Sequence, residues 1–298
     1  MDLVTFSPRF PKPGETVIGS QFLTYAGGKG ANQAVAIARM GAKSAMVGCV
    51  GGDIFGPQLL DNLTSAGVDI SGVSVNPNEN SGIAVIGVDK TAQNCITQIL
   101  GANETCGPLE SAAVKRRLSG ASALLLQLEV SIELSMEVAR EARAQGVLTM
   151  LDPGPVRPIT RELLALCDVI TPNETEAQSL VNFPVTGPNS AAEAATRILT
   201  MGVGTVVVKL GAQGAYFANA NLRGMVPPFN VAAVDSVAAG DAFNGALAVS
   251  LSEGRELPEA ANIASAAGAL SVTQTGAQDS MPERSLVDAL VRDQRRST

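Results

Sequence analysis

The hydrophobic positions divide the chain into an irregular opening and a long, regular remainder. LVTF (3–6) is a short apolar stretch, and PKPGETV (11–17) carries Pro13-Gly14 turn chemistry. TVIGSQFLTYAGG reads as one or two strands that end at Gly27-Gly28. From Ala31, ANQAVAIARMG predicts a helix of small residues closed by Gly41. AMVGCVGGD (45–53) predicts a buried strand and a glycine turn, and FGPQLLDNLTSAGV (55–68) a helix. SGIAVIGVD (81–89) and NCITQILGAN (94–103) alternate, which predicts a hairpin across Lys90–Gln93.

A steady beat follows. The helix PLESAAVKRRL precedes the strand ALLLQLE (123–129), and SIELSMEVAREARAQG precedes VLTMLDPG (147–154). ELLALC precedes DVITPNE (168–174), and AAEAATRILTMG precedes TVVVKLGAQG (205–214). Continuous apolar strands alternating with helices predict an α/β fold: a doubly wound, mostly parallel central sheet with helices on both faces. The tail from Leu257 to Arg295 is mostly helical, broken at TQTGAQDSMP (273–282). No repeat or linker divides residues 1–298, so one domain is expected. The early strands lie apart from the beat and suit a small second layer such as a lid.

Composition narrows the chemistry. The chain is 46% hydrophobic but only 3% aromatic and lacks Trp, so its core must be Ala, Val, Leu and Ile. A net charge of −7 argues against a nucleic-acid binder, which would want a basic face. It leaves an anionic substrate open, since a few local Lys or N–H groups suffice. The absence of His removes Ser-His-Asp and Cys-His catalysis and His-ligated zinc. Any base must be Asp, Glu, Lys, Cys or Tyr. The four cysteines (Cys49, Cys95, Cys106, Cys167) form no C-x-x-C pair and read as thiols of a reducing cytosol. No signal-peptide pattern is present, and no apolar stretch approaches the ~20 residues of a membrane helix. A cytoplasmic protein is therefore expected.

In open α/β sheets, ligands bind at the carboxyl ends of strands. Glu129, Asp152, Asn173 with Glu176, Gly211 with Gly214, and Gly240-Asp241 all fall there. AGGKGANQ (26–33) places two glycines before Lys29 and Asn32, donors suited to a polyhydroxyl ligand, or it is simply a strand-to-helix turn. NETE (173–176) puts Asn173 and Glu176 on one helical face, as a magnesium-linked acid or as a cap pair. KLGAQG (209–214) is a flexible strand exit that can lie against a nucleotide. In AAGDAFNG (238–245), Ala238-Ala239-Gly240 keep side chains away from the N–H groups of a helix start, where a phosphoryl group can sit. Asp241 is then a helix cap or the base that accepts a hydroxyl proton.

Together these pieces resemble the ribokinase branch of the PfkB carbohydrate kinase family. The resemblance runs in order through PKPGETV, AGGKGANQAVA, QLE, DPGP, TPNETEA, KLGAQG, DSVAAGDAFNGAL and TGAQ. It implies ATP-dependent phosphorylation of a sugar hydroxyl, for ribose at O5. It implies Asp241 as catalytic base, with Gly240, Ala239 and Ala238 in the anion hole. Asp2, Gly28, Lys29, Gly30, Asn32 and Glu129 match sugar-binding positions. Asn173, Lys209, Gly211, Gly214, Gly240 and Ser265 match nucleotide positions, and Glu176 the acid linked to Mg²⁺ through water. Asp235, Val237, Ser271, Gln274, Gly276 and Ser280 fit the ligands of an activating monovalent cation, K⁺. The family's β-strand lid, matched by about 3–25 and 81–99, implies a homodimer. In one departure, relatives carry a core strand and a G-S-x-N-x-D run that leads into the lid, whereas here Met1 immediately precedes the matching Asp2. That first core strand has no counterpart in this sequence, so two exposed strand edges are expected in the core sheet.

Overall fold

The computed structural model describes residues 1–91 and 93–297, with side chains through 294. In chain order its elements are β1 (Asp2–Phe6), β2 (Gln21–Tyr25), α1 (Lys29–Arg39), β3 (Ala45–Gly51), α2 (Phe55–Ser65), β4 (Asp69–Asn76), β5 (Ile83–Val88) and β6 (Asn94–Ile99). There follow α3 (Pro108–Leu118), β7 (Ala123–Leu126), α4 (Ile132–Ala144), β8 (Leu148–Leu151), α5 (Arg161–Leu166), β9 (Val169–Ile170), α6 (Glu174–Val181) and α7 (Pro188–Leu199). Last come β10 (Thr205–Lys209), β11 (Ala215–Asn219), β12 (Arg223–Val226), α8 (Ala239–Ser252), α9 (Leu257–Ser271) and α10 (Arg284–Ser297).

The main sheet has the order β12-β11-β10-β9-β8-β7, parallel from β7 to β10 and antiparallel at β11 and β12. In β10, Val206 and Val208 pack into a cluster with Ile170, Ala194 and Ile198, while Val207 packs with Phe243, Leu247 and Ile263. All three valines are buried, as a strand covered by helices on both faces requires. One layer of helices is α4 to α7 and the other is α8 to α10, which bears out the predicted α/β fold with helices on both faces.

Several strands end sooner than their apolar runs suggest. The 123–129 run is strand only to Leu126, 147–154 only from Leu148 to Leu151, and 168–174 only at Val169–Ile170. Pro153 and Pro172 follow the last two and lack the N–H that a ladder needs. The 205–214 run stops at Lys209. A short 3-10 turn (Gly211–Gln213) then reverses the chain into β11, so the expected single strand is the first half of a hairpin. The helix expected from Ala31 already begins at Lys29, and the one expected to reach Val68 ends at Ser65.

A four-stranded sheet, β2-β1-β5-β6, forms the lid from the segments expected. The turn of its 81–103 hairpin contains Ala92, which lies outside the described residues. β3 pairs in parallel with β4 in a separate two-stranded sheet, and among the described residues neither strand pairs with the main sheet.

α1 ties these parts together. It packs on α8 where Gly245 faces Ala36: a Cβ built on Gly245 would sit 2.5 Å from the Ala36 Cβ. Among the described residues no helix is long and apolar enough to cross a membrane. Gly245→Val should force α1 and α8 apart, because overpacking a closed contact costs about 1–3 kcal/mol and the helix propensity valine gains over glycine returns only a few tenths of a kcal/mol. Thermal unfolding should show a Tm lower by roughly 3 °C or more, and an unchanged Tm would contradict the close packing.

Candidate active site

The first functional side chains come from the turn between β2 and α1. Gly28 turns the chain there with φ 93°, a left-handed value that glycine adopts without strain. The turn delivers the Lys29 N–H to Glu129 Oε2 at 2.9 Å. The second Glu129 oxygen accepts from Gln98 Nε2 of lid strand β6 at 2.6 Å. Asp2, at the start of β1, lays its carboxylate against Gly27, and Gly30 approaches Gln127 and Met46. Lid and core therefore meet at Glu129.

Further along α1, Lys29 Nζ donates to Asp152 Oδ2 at 3.0 Å. Asp152 follows β8 and is 2% exposed. Its other oxygen accepts from Lys209 Nζ, at the end of β10, at 3.3 Å. Burial alone would push the Asp152 carboxyl up, but the two ammonium groups outweigh it and hold it below the ordinary carboxylate range. Burial likewise disfavours the Lys29 ammonium, yet Asp152, Asp241 and Glu176 together raise its pKa.

Asp241 is the third residue of α8 and is 4% exposed. It does not cap its own helix: α8 has no side-chain cap bond. Its oxygens instead accept from Asn32 Nδ2 at 2.9 Å and Gln33 Nε2 at 3.0 Å. Burial raises the Asp241 carboxyl, with Asp152 adding to the rise and Lys29 and the two amides opposing it. Glu129 and Asp2 are also raised, first by burial. The α8 start is a backbone cradle. Ala238 takes a left-handed conformation (φ 59°), and the Gly240 N–H donates to no acceptor among the described residues. A Cβ on Gly240 would lie 3.3 Å from Lys209 Nζ.

Asn173 and Glu176 do form a capping box on α6: Glu176 N–H donates to Asn173 Oδ1, and Asn173 N–H to Glu176 Oε2, both at 2.8 Å. The cap alternative is thus realised, and it leaves Glu176 Oε1 turned toward Gly154 and Lys29, where any Cβ on Gly154 would collide with both. Burial raises the Glu176 carboxyl. Asn173 bridges to Lys209, and Gly211 and Gly214 take positive φ in the turn that follows. Ser265 on α9 has a buried hydroxyl without a partner, and the neighbouring Gly268 packs under the Ala239 carbonyl. The residues matched to nucleotide positions therefore line the same edge as Asp241.

Of the six residues matched to a cation loop, three come together through Asp235, which accepts from the N–H groups of Val237 and Gly276, each at 3.0 Å. The Ser271 carbonyl accepts from the Gln274 N–H, and the Ser271 and Ser280 hydroxyls bond to Gly268 and Ala277. Among the described residues no group of three or more His, Cys, Asp or Glu side chains is placed to hold a metal.

Sequence reasoning gave no role to Gln33, Gln98 and Gln127, each of which holds a site group, although Gln33 closes AGGKGANQ and Gln127 opens QLE. Asp152 was visible only as an acid at a strand end, and its pairing with two lysines was not. The Asp152→Asn substitution should leave Lys29 and Lys209 facing each other without the carboxylate they share. Breaking a buried pair costs about 3–5 kcal/mol. Denaturant unfolding should show a loss of that order at pH 7 that fades on acidification. Asp152 is held low in the fold, so its contribution exists above the unfolded pKa and is lost as pH falls through the folded one. A denaturation midpoint equal to that of the unsubstituted protein would contradict the pairing.

The geometry agrees with what the chain resembles. Residues 1–284 match the model of the pfkB family carbohydrate kinases. The chain is 38% identical over 283 residues to a ribokinase of Haemophilus influenzae, covering 95% of this chain and 92% of that protein. It superposes on a ribokinase of Thermotoga maritima with TM-score 0.87 and 38% identity, covering 98% and 96% of the two chains. It superposes on an Arabidopsis thaliana ribokinase complexed with ribose and ATP with TM-score 0.88 and 33% identity, covering 98% and 95%. The chain belongs to the pfkB family of carbohydrate kinases and is an ATP-dependent sugar kinase.

Proposed function

We propose that the chain transfers the γ-phosphoryl group of ATP to the 5-hydroxyl of D-ribose, with Asp241 as general base. The observation that carries the reading is Asp241 itself: a buried carboxylate, each oxygen held by an amide, beside an open N–H at a helix start. A carboxylate raised by burial is a better base than an exposed one, and the open Gly240 N–H with the helix dipole favours incoming negative charge. The sugar lies among Asp2, Gly28, Lys29, Gly30, Asn32 and Glu129. Asn32 Oδ1 supports this, because it is buried without a donor and suits a sugar hydroxyl. The hydroxyl proton passes to Asp241, the oxygen attacks the γ-phosphorus, and ADP leaves. Ala238, Ala239 and Gly240 keep the space above the helix start clear. Positioning and electrostatics carry the rate, and the lid excludes water.

Asn173, Lys209, Gly211, Gly214 and Ser265 form the nucleotide side, with Lys209 reaching toward the transferred phosphate. Glu176 fits a water-held Mg²⁺, since its Oε1 is free of the capping box and hard cations of this kind take few protein carboxylates. Bound there, the ion would offset phosphate charge. Asp235, Val237, Ser271, Gln274, Gly276 and Ser280 form the K⁺ loop. In its favour, the Val237 carbonyl accepts no hydrogen bond among the described residues. Residues 1–298 act as one domain in the cytoplasm. The lid pairs two subunits, supported by Phe22, Val85 and Ile99, which lie exposed on one face of its sheet.

Asp241→Asn should lower kcat for ATP-dependent sugar phosphorylation by about 10²–10⁴-fold, and activity within tenfold of the unsubstituted enzyme would remove Asp241 from the role of base. Protonated Asp241 cannot accept the hydroxyl proton. The acid limb of kcat/KM should therefore lie above the ordinary carboxylate range near ~4, with activity falling as pH drops through it. In a panel of ribose, deoxyribose, a ketohexose and nucleosides, with and without K⁺, ribose should give the highest kcat/KM. Ribose binding by calorimetry without ADP formation would make the chain a sugar-binding protein instead.

A further inference from the structure

Gln33 is 2% exposed, so no bulk water reaches its amide. Its nitrogen donates to Asp241 Oδ1 and to Asp152 Oδ2, each at 3.0 Å. An amide nitrogen carries two hydrogens, and both are spent here on carboxylates. Its oxygen accepts from Gln127 Nε2 at 2.6 Å. The three bonds fix the amide's sense. Turned over, it would set its oxygen against two carboxylates and its NH₂ against the NH₂ of Gln127.

We propose that Gln33, oriented by Gln127, is a positioning residue for phosphoryl transfer: it spans the base Asp241 and the lysine-bound Asp152 and thereby sets where the free lone pairs of the base point. The inference rests on the reading of Asp241 as the base. Asn32 restrains the second Asp241 oxygen, so the carboxylate is held at both ends by consecutive residues of α1. Through Gln33 the base is also tied to the group that gathers Lys29 and Lys209. The charged groups facing Asp241 are Lys29 on α1, Asp152 after β8, Glu129 after β7 and Asp2 on β1, with Lys209 and Glu176 acting through Asp152. Gln33 is a neutral donor among them, so replacing it with methionine changes the hydrogen bonding without changing any formal charge.

Gln33→Met keeps the length of the side chain and removes its donors. Losing a donor to a buried charged group should lower kcat about tenfold or more, while KM for ATP and for the sugar stays within about threefold. The acid limb of kcat/KM should move upward, because the ionised form of Asp241 loses a donor. Gln127→Met leaves Gln33 in place but frees its amide to turn, and should move both readouts the same way by less. It also carries the test if Gln33→Met does not fold. A third readout needs no turnover: titration of ¹³C-labelled aspartate by NMR, with the Asp241 signal identified by its loss in Asp241→Asn, should show the same upward shift. If the unsubstituted chain phosphorylates no sugar, the proposed function fails and the NMR titration still decides the role of Gln33. Variants whose kcat, acid limb and Asp241 titration all match the unsubstituted protein would overturn the proposal. A fall in kcat with an unmoved limb and titration would overturn it too, since that marks a packing role.

Discussion

A single buried carboxylate has to satisfy two ammonium groups. Asp152 receives Lys29 from the first helix and Lys209 from the end of β10, and a fully buried charge is tolerable only when paired and hydrogen-bonded in this way. The requirement organises the molecule. It draws the turn between β2 and α1, the end of β10 and the Gln33 amide onto one point. That point lies beyond β8, in the interior of the main sheet. Through the pairing both ammonium groups are held inside the fold, and Lys209 lies beside the start of α8.

The acids around that point divide into two kinds. Asp152, outmatched by cations, is held low, whereas Asp241, Glu129, Glu176 and Asp2 are raised by burial, with Asp152 adding at Asp241 and Glu176 and Asp241 adding at Glu129 and Asp2. Two lysines cannot compensate five carboxyl groups. Such a surplus of acids is common where function and stability compete. It also gives one proton-accepting group an affinity for protons unlike that of its neighbour, and that separation allows one carboxylate to anchor while another reacts.

The regular beat from Pro108 to Lys209 was legible because its strands are buried on both faces and so read as nearly unbroken apolar runs. β4 was not: DISGVSVN is interrupted by Gly72 and Ser74 and lies half-buried against a single partner strand. β11 and β12 escaped because the turn at Gly211–Gln213 reads as a continuation of β10. In the site, Lys29, Asn32, Glu129, Asn173, Glu176, Lys209 and Asp241 stood out, since their motifs place donors or acids at element ends. The amides did not. What Gln33 does depends on Gln127, 94 residues away, and on Asp152, 119 away, and glutamine in a helix has no pattern of its own. Whether Asp241 caps its own helix needed coordinates, because a cap and any other acid of the first helical turn look alike in sequence.

The separation of β3 and β4 from the main sheet bears on how the molecule comes apart. A continuous sheet shares one ladder of backbone hydrogen bonds, and opening any interior strand disturbs its neighbours. Here there are two ladders, β3 with β4 and β7 through β12, joined by side-chain packing rather than by backbone bonds. Such units open with their own free energies. The smaller ladder, with α2 resting on it, can exchange its amide protons while the larger one stays closed. α1, carrying Lys29, Asn32 and Gln33, packs both on β3 of the smaller ladder and on α8, which covers the larger one.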